Sequence, residues 1–243
     1  MIYSSPINIF VGTAYSGENE FDQCIKQIDA QKGVRIRHYI VFDKPILPAF
    51  EEMYSEWSEI KHEMDMFVQI DADVILNSDD CILSIYNTIK NTKYNVISYP
   101  LYDHFTNKNI WALNSYLPSI EFVTLKDKYK PDMEFKNAVR YPTTLNSEIK
   151  GEHSPNPSMI QAFHFGWHRE LRSDVSPGQR KILRNLVNAP KTQNRNHAIA
   201  GMHFARTYKA KTRDSSPIEY TNPIFIEQFK IYEESAQIIN GTI

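Results

Sequence analysis

The stretch MFVQIDAD, residues 66–73, decides the fold that this sequence predicts. Its first five residues form a short β-prone run and predict a buried strand, which ends in two carboxylates one residue apart, Asp71 and Asp73. Open α/β sheets bind ligands at the carboxyl ends of their strands, and paired carboxylates there suit Mg²⁺ or Mn²⁺ shared with substrate phosphates. The alternative is an ordinary turn, where aspartate bonds to its own backbone. The apolar strand in front of the acids favours the metal site.

Strands and helices alternate around this stretch. Residues 7–11 predict a strand that opens onto the loop 12–17, and Ser16 is a candidate N-cap for a helix with apolar residues at 21, 24, 25 and 28. Residues 34–42 alternate as a second strand, and residues 49–63 predict a helix. Short connections between strand, helix and strand predict a parallel pair with a right-handed crossover.

The pattern continues for one more unit and then weakens. Ser78 is a candidate cap for a helix that carries apolar residues at 82, 85, 86 and 89, and residues 94–99 predict a fourth strand. Beyond residue 100 only two helices stand out, one beginning at Ser176-Pro177 and one over residues 225–236. The sequence therefore predicts one domain over 1–243, with a regular half at 1–100 and an elaborated half at 101–243.

Composition excludes several classes of protein. The chain of 243 residues is 42% hydrophobic and 23% charged with a net charge of -2, which indicates a folded protein without general attraction to nucleic acid. Cys24 and Cys81 fall inside helical patterns and are interpreted as buried thiols that form no disulfide. Residues 1–6 lack the features of a signal peptide, and no run reaches the ~20 apolar residues of a membrane span. These features predict a cytoplasmic protein.

Three segments resemble the glycosyltransferases of the GT-A fold, and family 2 in particular. IFVGTA at 9–14 is similar to their first strand and nucleotide loop, VFD at 41–43 to the second strand with its base-contacting acid, and FVQIDAD at 67–73 to their Asp-x-Asp motif. The resemblance implies an α/β, Rossmann-like fold with a mostly parallel central sheet flanked by helices. It also implies that residues 1–100 bind the nucleotide sugar and that residues 101–243 bind the acceptor.

The resemblance implies a set of site residues. GEHSP at 151–155 is similar to a Gly-Glu-His-x-Pro segment of some bacterial members, so His153 is the candidate third metal ligand and His164 the second choice. Most histidines only form hydrogen bonds, which is the alternative for both. The resemblance implies that Asp71 and Asp73 are the other two ligands of Mn²⁺ or Mg²⁺. The residues it implies for contact with the nucleotide sugar are Thr13, Tyr15, Asp43, Gln69 and Ala72.

The implied reaction is transfer of a sugar from a nucleoside-diphosphate sugar, with UDP favoured over GDP, to a glycan or lipid-linked glycan, with inversion. Peripheral contact with a membrane is compatible with such an acceptor. Inversion needs a base, for which Asp132 is the candidate and Glu134, Asp103 and Glu152 are rivals. Three aromatic residues could stack on the acceptor or equally well pack in the core: Trp111, Tyr116 and Trp167.

Two departures from the family pattern keep other functions open. The chain lacks the Ala-Arg-Asn segment usual before Asp-x-Asp, and it has no Glu-Asp pair to mark a base. One alternative is a sugar nucleotidyltransferase or another metal-dependent enzyme of nucleotides, although the loop 12–17 has no Lys or Arg to hold a triphosphate. The other is a non-catalytic sugar-binding protein that kept the fold.

Overall fold

The structure, a computed structural model, describes residues 6–123 and 136–239. The described chain divides into two compact units, one of residues 6–103, 109–123 and 136–155 and one of residues 104–108 and 156–239. The single domain expected from the sequence stays a prediction. No helix among the described residues is long and apolar enough to cross a bilayer.

Strands and helices alternate through residues 8–103 as the sequence predicts, except that an additional short strand follows the third one directly, and two more strands come later in the chain. Short 3-10 turns lie at Lys61–Glu63 and Thr143–Leu145. The elements are β1 (Asn8–Tyr15), α1 (Phe21–Asp29), β2 (Arg35–Phe42), α2 (Ile46–Ile60), β3 (Met66–Gln69), β4 (Val74–Leu76), α3 (Cys81–Ile89), β5 (Val96–Asp103), β6 (Lys108–Tyr116) and β7 (Gly151–His153).

The seven strands form one mixed sheet in the order β2-β1-β3-β6-β5-β7-β4. β1 is parallel to β2 and β3, and β5 is parallel to β7, but β3 pairs antiparallel with β6 and β4 pairs antiparallel with β7. The expectation of a mostly parallel sheet is therefore wrong. Its physical cause is connection length: four residues join β5 to β6, whereas a parallel crossover needs a dozen or more.

The sheet is curled. β3 and β4 are separated by three strands in the sheet, yet only residues 70–73 connect them. This link contains a turn in which the Val74 N–H donates to the Asp71 carbonyl at 3.0 Å, so it is not fully extended. Four strand spacings of a flat sheet would cover about 19 Å, more than such a link can reach. Because the sheet is curled, the start of β4 lies close to the carboxyl end of β3.

Both faces of the sheet are buried. Alternation along β1 sends Ile9 and Val11 to one face, where they pack with residues of α1 and α3, and Phe10 to the other, where it packs with Trp57 of α2. Cys24 and Cys81 are buried free thiols, as predicted. Burial on both faces explains why β3 has three consecutive apolar residues, Met66, Phe67 and Val68.

Two predicted helix caps are wrong. α1 begins at Phe21 with Glu20 as its N-cap, and α3 begins at Cys81 with Asp80 as its N-cap, whereas Ser16 and Ser78 each lie outside the helices. The Ser78 hydroxyl instead donates to the Asp80 carboxylate at 2.6 Å. Several polar residues precede each helix, and local pattern alone does not select which of them begins it.

The second unit is helical. Ser158 is the N-cap of α4 and forms a capping box with Gln161. Ser176 is the N-cap of α5, which begins where the sequence predicts a helix. The last helix predicted from the sequence corresponds to α7, whereas α4 and α6 were not predicted. The helices are α4 (Met159–Leu171), α5 (Pro177–Asn188), α6 (Gln193–Thr212) and α7 (Pro223–Ile239).

Candidate functional site

Polar side chains of the first unit converge at one edge of the sheet. The carboxyl ends of β1, β2 and β3 share an edge because these strands are parallel. β6 runs against β3, and the short β5–β6 link makes β5 run against β6, so β5 and its parallel neighbour β7 end at the same edge. Residues that follow or close these five strands are therefore neighbours, which is the place where α/β sheets bind ligands.

Asp73 and His153 meet at this edge. β4 begins where β7 ends, with Val74 opposite His153, so Asp73 lies beside the histidine although 80 positions separate them. The His153 Nε2 lies 3.3 Å from the Asp73 Oδ2, and both side chains are largely buried. Ser154 donates its hydroxyl to the same carboxylate, and its N–H donates to the Asp73 carbonyl at 2.8 Å. The structure thus joins two of the three predicted metal ligands.

A third carboxylate lies on the far side of the imidazole. Asp103, the last residue of β5, is fully buried, and its Oδ1 lies 2.7 Å from the His153 Nδ1. The register of β5 with β7 pairs these two residues directly. Sequence reasoning treated Asp103 only as a rival base, because nothing local relates it to a residue 50 positions away.

Asp71 is held apart from this pair. Its Oδ1 lies 3.4 Å from the Gln69 Nε2, and the Gln69 Oε1 accepts a 2.7 Å hydrogen bond from the buried Tyr54 hydroxyl. Ala72, between the two aspartates, is buried. Across residues 6–123 and 136–239, no three His, Cys, Asp or Glu side chains are arranged to hold a metal ion. The closed ligand set of Asp71, Asp73 and His153 is therefore not formed, since the two aspartates turn to different partners.

The remaining pair still fits a divalent cation. Mg²⁺ and Mn²⁺ are commonly held by one or two protein ligands, with substrate phosphates and water completing the shell. An oxygen and an imidazole nitrogen are donors that Mn²⁺ accepts. Because the carboxylate of Asp103 accepts from Nδ1, Nε2 is the nitrogen that faces the Asp73 carboxylate, either donating a proton to it or, in a neutral ring, presenting its lone pair. A divalent cation between Nε2 and Oδ2 would take the place of that proton and use both atoms as ligands.

Glu18, in the loop after β1, is a further carboxyl group near this edge. Burial raises the pKa of the Glu18 carboxyl to about 7, with a further contribution from the carboxylates of Asp73 and Asp71. The Ser16 N–H donates to the Glu18 Oε2 at 2.7 Å and opposes this rise in pKa. The carboxyl groups of Glu18, Asp71 and Asp73 therefore interact electrostatically at this edge of the sheet. Sequence reasoning missed Glu18, although its place in the loop after the first strand was a usable signal.

The raised pKa of Glu18 predicts a pH-dependent stability. Between pH 4.5 and about 7 the folded protein keeps a proton that the unfolded chain has lost, so the free energy of unfolding falls as pH rises through this window. Glu18→Gln removes the titration. Allowing for the part of the side chain that stays exposed to solvent, we expect the variant to match the wild type at pH 5 and to be more stable by roughly 1–3 kcal/mol at pH 8.

Urea unfolding in EDTA at both pH values measures this difference, and groups that titrate alike in both proteins cancel. A stability difference that does not change between pH 5 and pH 8 would contradict the assignment.

The predicted nucleotide contacts lie at the ends of β1 and β2. The centroid of the Tyr15 ring lies 4.1 Å from that of the Phe21 ring and 5.8 Å from that of the Phe42 ring, and Phe42 is 52% exposed. Asp43 is exposed, adopts a positive φ of 50°, and donates its N–H to the Tyr15 carbonyl at 2.9 Å. Thr13 is fully buried, with its Oγ1 3.0 Å from the Nε2 of His38. Tyr15 and Asp43 are therefore accessible to a ligand, whereas Thr13 is covered.

Other predicted residues lie elsewhere. His164 belongs to the second unit, where its Nε2 lies 2.9 Å from the Ile218 carbonyl and burial lowers its pKa to about 4. Asp132 and Glu134 lie outside the described residues. Glu152 is exposed on β7. Of the three candidate stacking aromatics, Trp111 is 48% exposed, whereas two are buried in the core: Tyr116 and Trp167.

The fold and the site define a mixed α/β protein, compatible with a Rossmann-like fold, that carries a carboxylate and histidine site at its strand ends. No protein-family model and no curated protein matches the chain.

Two solved structures are similar to parts or most of the chain. The crystal structure of A197 from STIV is 11% identical, with a TM-score of 0.34, and the match covers 46% of this chain and 64% of that one. Mannosyltransferase PcManGT from Pyrobaculum calidifontis, in complex with GDP-Man and Mn²⁺, is 11% identical with a TM-score of 0.41, and the match covers 97% of this chain and 81% of that one. The chain thus spans less than two thirds of A197. TM-scores of this size decide neither the fold nor the activity of this protein.

Proposed function

We propose that this protein is a metal-dependent glycosyltransferase that moves a sugar from a nucleoside-diphosphate sugar to a hydroxyl group of a glycan acceptor. The observation that carries the proposal is the meeting of Asp73 and His153, with Nε2 3.3 Å from Oδ2, at the edge where β1, β2 and β3 also end. A cation site at that edge is suited to a ligand that contains phosphates.

Asp73 and His153 are the residues proposed to hold Mn²⁺ or Mg²⁺. When bound, such an ion supplies a Lewis acid that neutralises the charge on the departing nucleoside diphosphate. Asp71 is proposed to reach the donor ribose or a water molecule near the ion, with Gln69 and Tyr54 fixing its orientation by hydrogen bonds. The rigid support of both aspartates limits the reorganisation needed when a donor binds.

The nucleotide is proposed to lie over the ends of β1 and β2. Tyr15 offers a half-buried ring packed against Phe21 and Phe42, and the exposed Asp43 carboxylate can accept the imide N–H of uracil or the N1–H of guanine. Since both bases offer such a donor, the contact does not separate UDP from GDP. UDP stays the favoured donor nucleotide, and GDP stays the alternative.

The base that would deprotonate the acceptor remains Asp132, in an inverting reaction. Glu134 and the exposed Glu152 remain rivals for this role. Asp103 is a poor candidate because it is fully buried and is engaged by His153, so an acceptor hydroxyl has no direct access to it. Removal of this rival leaves the base to a residue on the acceptor side.

Calorimetric titration tests the proposal. UDP and GDP are titrated separately into the wild-type protein with Mn²⁺ and again in EDTA, and UTP is titrated as a matched ligand for the nucleotidyltransferase alternative. We expect one diphosphate to bind with Mn²⁺ and at least about tenfold more weakly in EDTA, and we expect its sugar conjugates to be hydrolysed slowly.

Two results would overturn the proposal. Preference for UTP over both diphosphates would favour a nucleotidyltransferase. Absence of binding by any of the three nucleotides, with or without Mn²⁺, would leave the non-catalytic sugar-binding protein as the better interpretation.

A further inference from the structure

Asp103 is a buried carboxylate that the proposed reaction leaves without a role. It closes β5, has no exposed surface, and accepts a hydrogen bond from the ring of His153, with 2.7 Å between Oδ1 and Nδ1. A carboxylate taken out of water costs several kcal/mol unless it is well paired. The β5–β7 register sets Asp103 directly beside His153, so the pairing is built into the sheet.

The hydrogen bond determines which nitrogen of His153 is available. Asp103 accepts at Nδ1, which requires the proton to be on Nδ1. In the neutral ring, Nε2 then carries the lone pair, and Nε2 is the atom 3.3 Å from the Asp73 Oδ2. Without Asp103 the imidazole could carry its proton on either nitrogen and rotate about its side-chain bonds. Histidines that bind metals are oriented in this way by a carboxylate on the opposite nitrogen.

We propose that Asp103 is a positioning residue that holds His153 in its Nδ1–H tautomer, with Nε2 directed at the cation site beside Asp73. The inference rests on the proposed function in one respect, namely that Nε2 binds a cation. The hydrogen bond and the tautomer do not depend on it. Ser154 orients the other proposed ligand, because its hydroxyl and its N–H both donate hydrogen bonds to Asp73.

Two measurements on the full chain test this role, and the first needs neither metal nor activity. Long-range ¹H–¹⁵N spectra of the metal-free protein, labelled with ¹⁵N-histidine, report the tautomer of each ring, and His153→Gln assigns the signal. At a pH at which the ring is neutral, we expect an Nδ1–H tautomer in the wild type and a mixture of tautomers in Asp103→Leu. Asp103→Asn retains an oxygen acceptor of nearly the same shape, so it should largely preserve the wild-type tautomer.

The second measurement is Mn²⁺ affinity, from the electron paramagnetic resonance signal of the free ion. We expect binding to weaken by about 10- to 100-fold in Asp103→Leu and by less in Asp103→Asn. Glu170→Gln is the matched control, because Glu170 is a buried carboxylate of the second unit that pairs with Arg206, and it should leave Mn²⁺ affinity unchanged. If Asp103→Leu fails to fold, Asp103→Asn and the wild-type spectrum carry the test.

The outcomes separate this inference from the proposed function. A neutral His153 that carries its proton on Nε2 in the wild type overturns the inference, as does equal Mn²⁺ affinity in the wild type and both Asp103 variants. In those cases Mn²⁺ binding by the wild type would leave the proposed function standing. An Nδ1–H tautomer in a wild-type protein that binds Mn²⁺ neither alone nor in the presence of UDP or GDP overturns the proposed function, and the positioning of a metal ligand with it.

Discussion

Asp73→Asn is expected to abolish Mn²⁺-dependent nucleotide binding, with affinity at least about 100-fold weaker than in the wild type. Asparagine has nearly the same shape and can still accept the Ser154 hydroxyl hydrogen bond, so the fold should survive. What is lost is the negative charge beside the His153 Nε2. A neutral amide is a much weaker ligand for a hard divalent cation than a carboxylate. Calorimetry with UDP or GDP, together with Mn²⁺ resonance, measures the loss.

Two further aspartate variants make this result specific. Asp22→Asn is the matched control, since Asp22 is exposed in the first turn of α1, and its binding should equal that of the wild type. Asp71→Asn should weaken binding by less than Asp73→Asn, because the Asp71 carboxylate contacts the Gln69 amide, whereas the Asp73 carboxylate meets the His153 Nε2. Full loss in Asp71→Asn with normal binding in Asp73→Asn would reverse the ligand assignment.

The regular part of the fold could be predicted because its signals are local. Alternation along residues 34–42 and the apolar run before Asp71 each identify a strand from a few neighbouring residues. Gly33, with a positive φ of 75°, marks the turn before β2. Connections of these lengths then define the parallel β1, β2 and β3 arrangement.

Three of the remaining strands, β4, β6 and β7, could not be predicted because their stability comes from distant partners. β4 and β7 are three residues each, and they form by pairing with each other across 75 to 79 positions and, for β7, with β5. Helix α4 is buried on most sides, so its apolar residues show no clear stripe. His153 could be identified from the sequence by its resemblance to a family segment. Asp103 becomes its neighbour only through the pairing of β5 with β7, which no local pattern indicates.

The helical unit depends on a close approach between two helix backbones. In α4, a Cβ atom built on Gly166 would lie 1.7 Å from the Ala198 carbonyl oxygen, and in α6 a Cβ on Gly201 would lie 1.9 Å from the Phe163 carbonyl oxygen. Both contacts are with backbone atoms, which cannot rotate away as a flexible side chain can. The two glycines therefore set the distance between α4 and α6.

Gly166→Ala and Gly201→Ala are each expected to destabilise the protein by about 3 kcal/mol or more, because one methyl group would force the helices apart and expose the apolar surface between them. Gly178→Ala is the matched control: it changes the same atoms in helix α5, where the nearest atom to a new Cβ is the Ser176 Oγ at 3.6 Å. Since alanine favours helix over glycine, this variant should equal or exceed the wild type in stability by up to about 1 kcal/mol. Urea unfolding followed by far-ultraviolet circular dichroism measures all three. Wild-type stability in Gly166→Ala and Gly201→Ala would mean that the two helices do not touch through their backbones, and it would remove the reason for a glycine at either position.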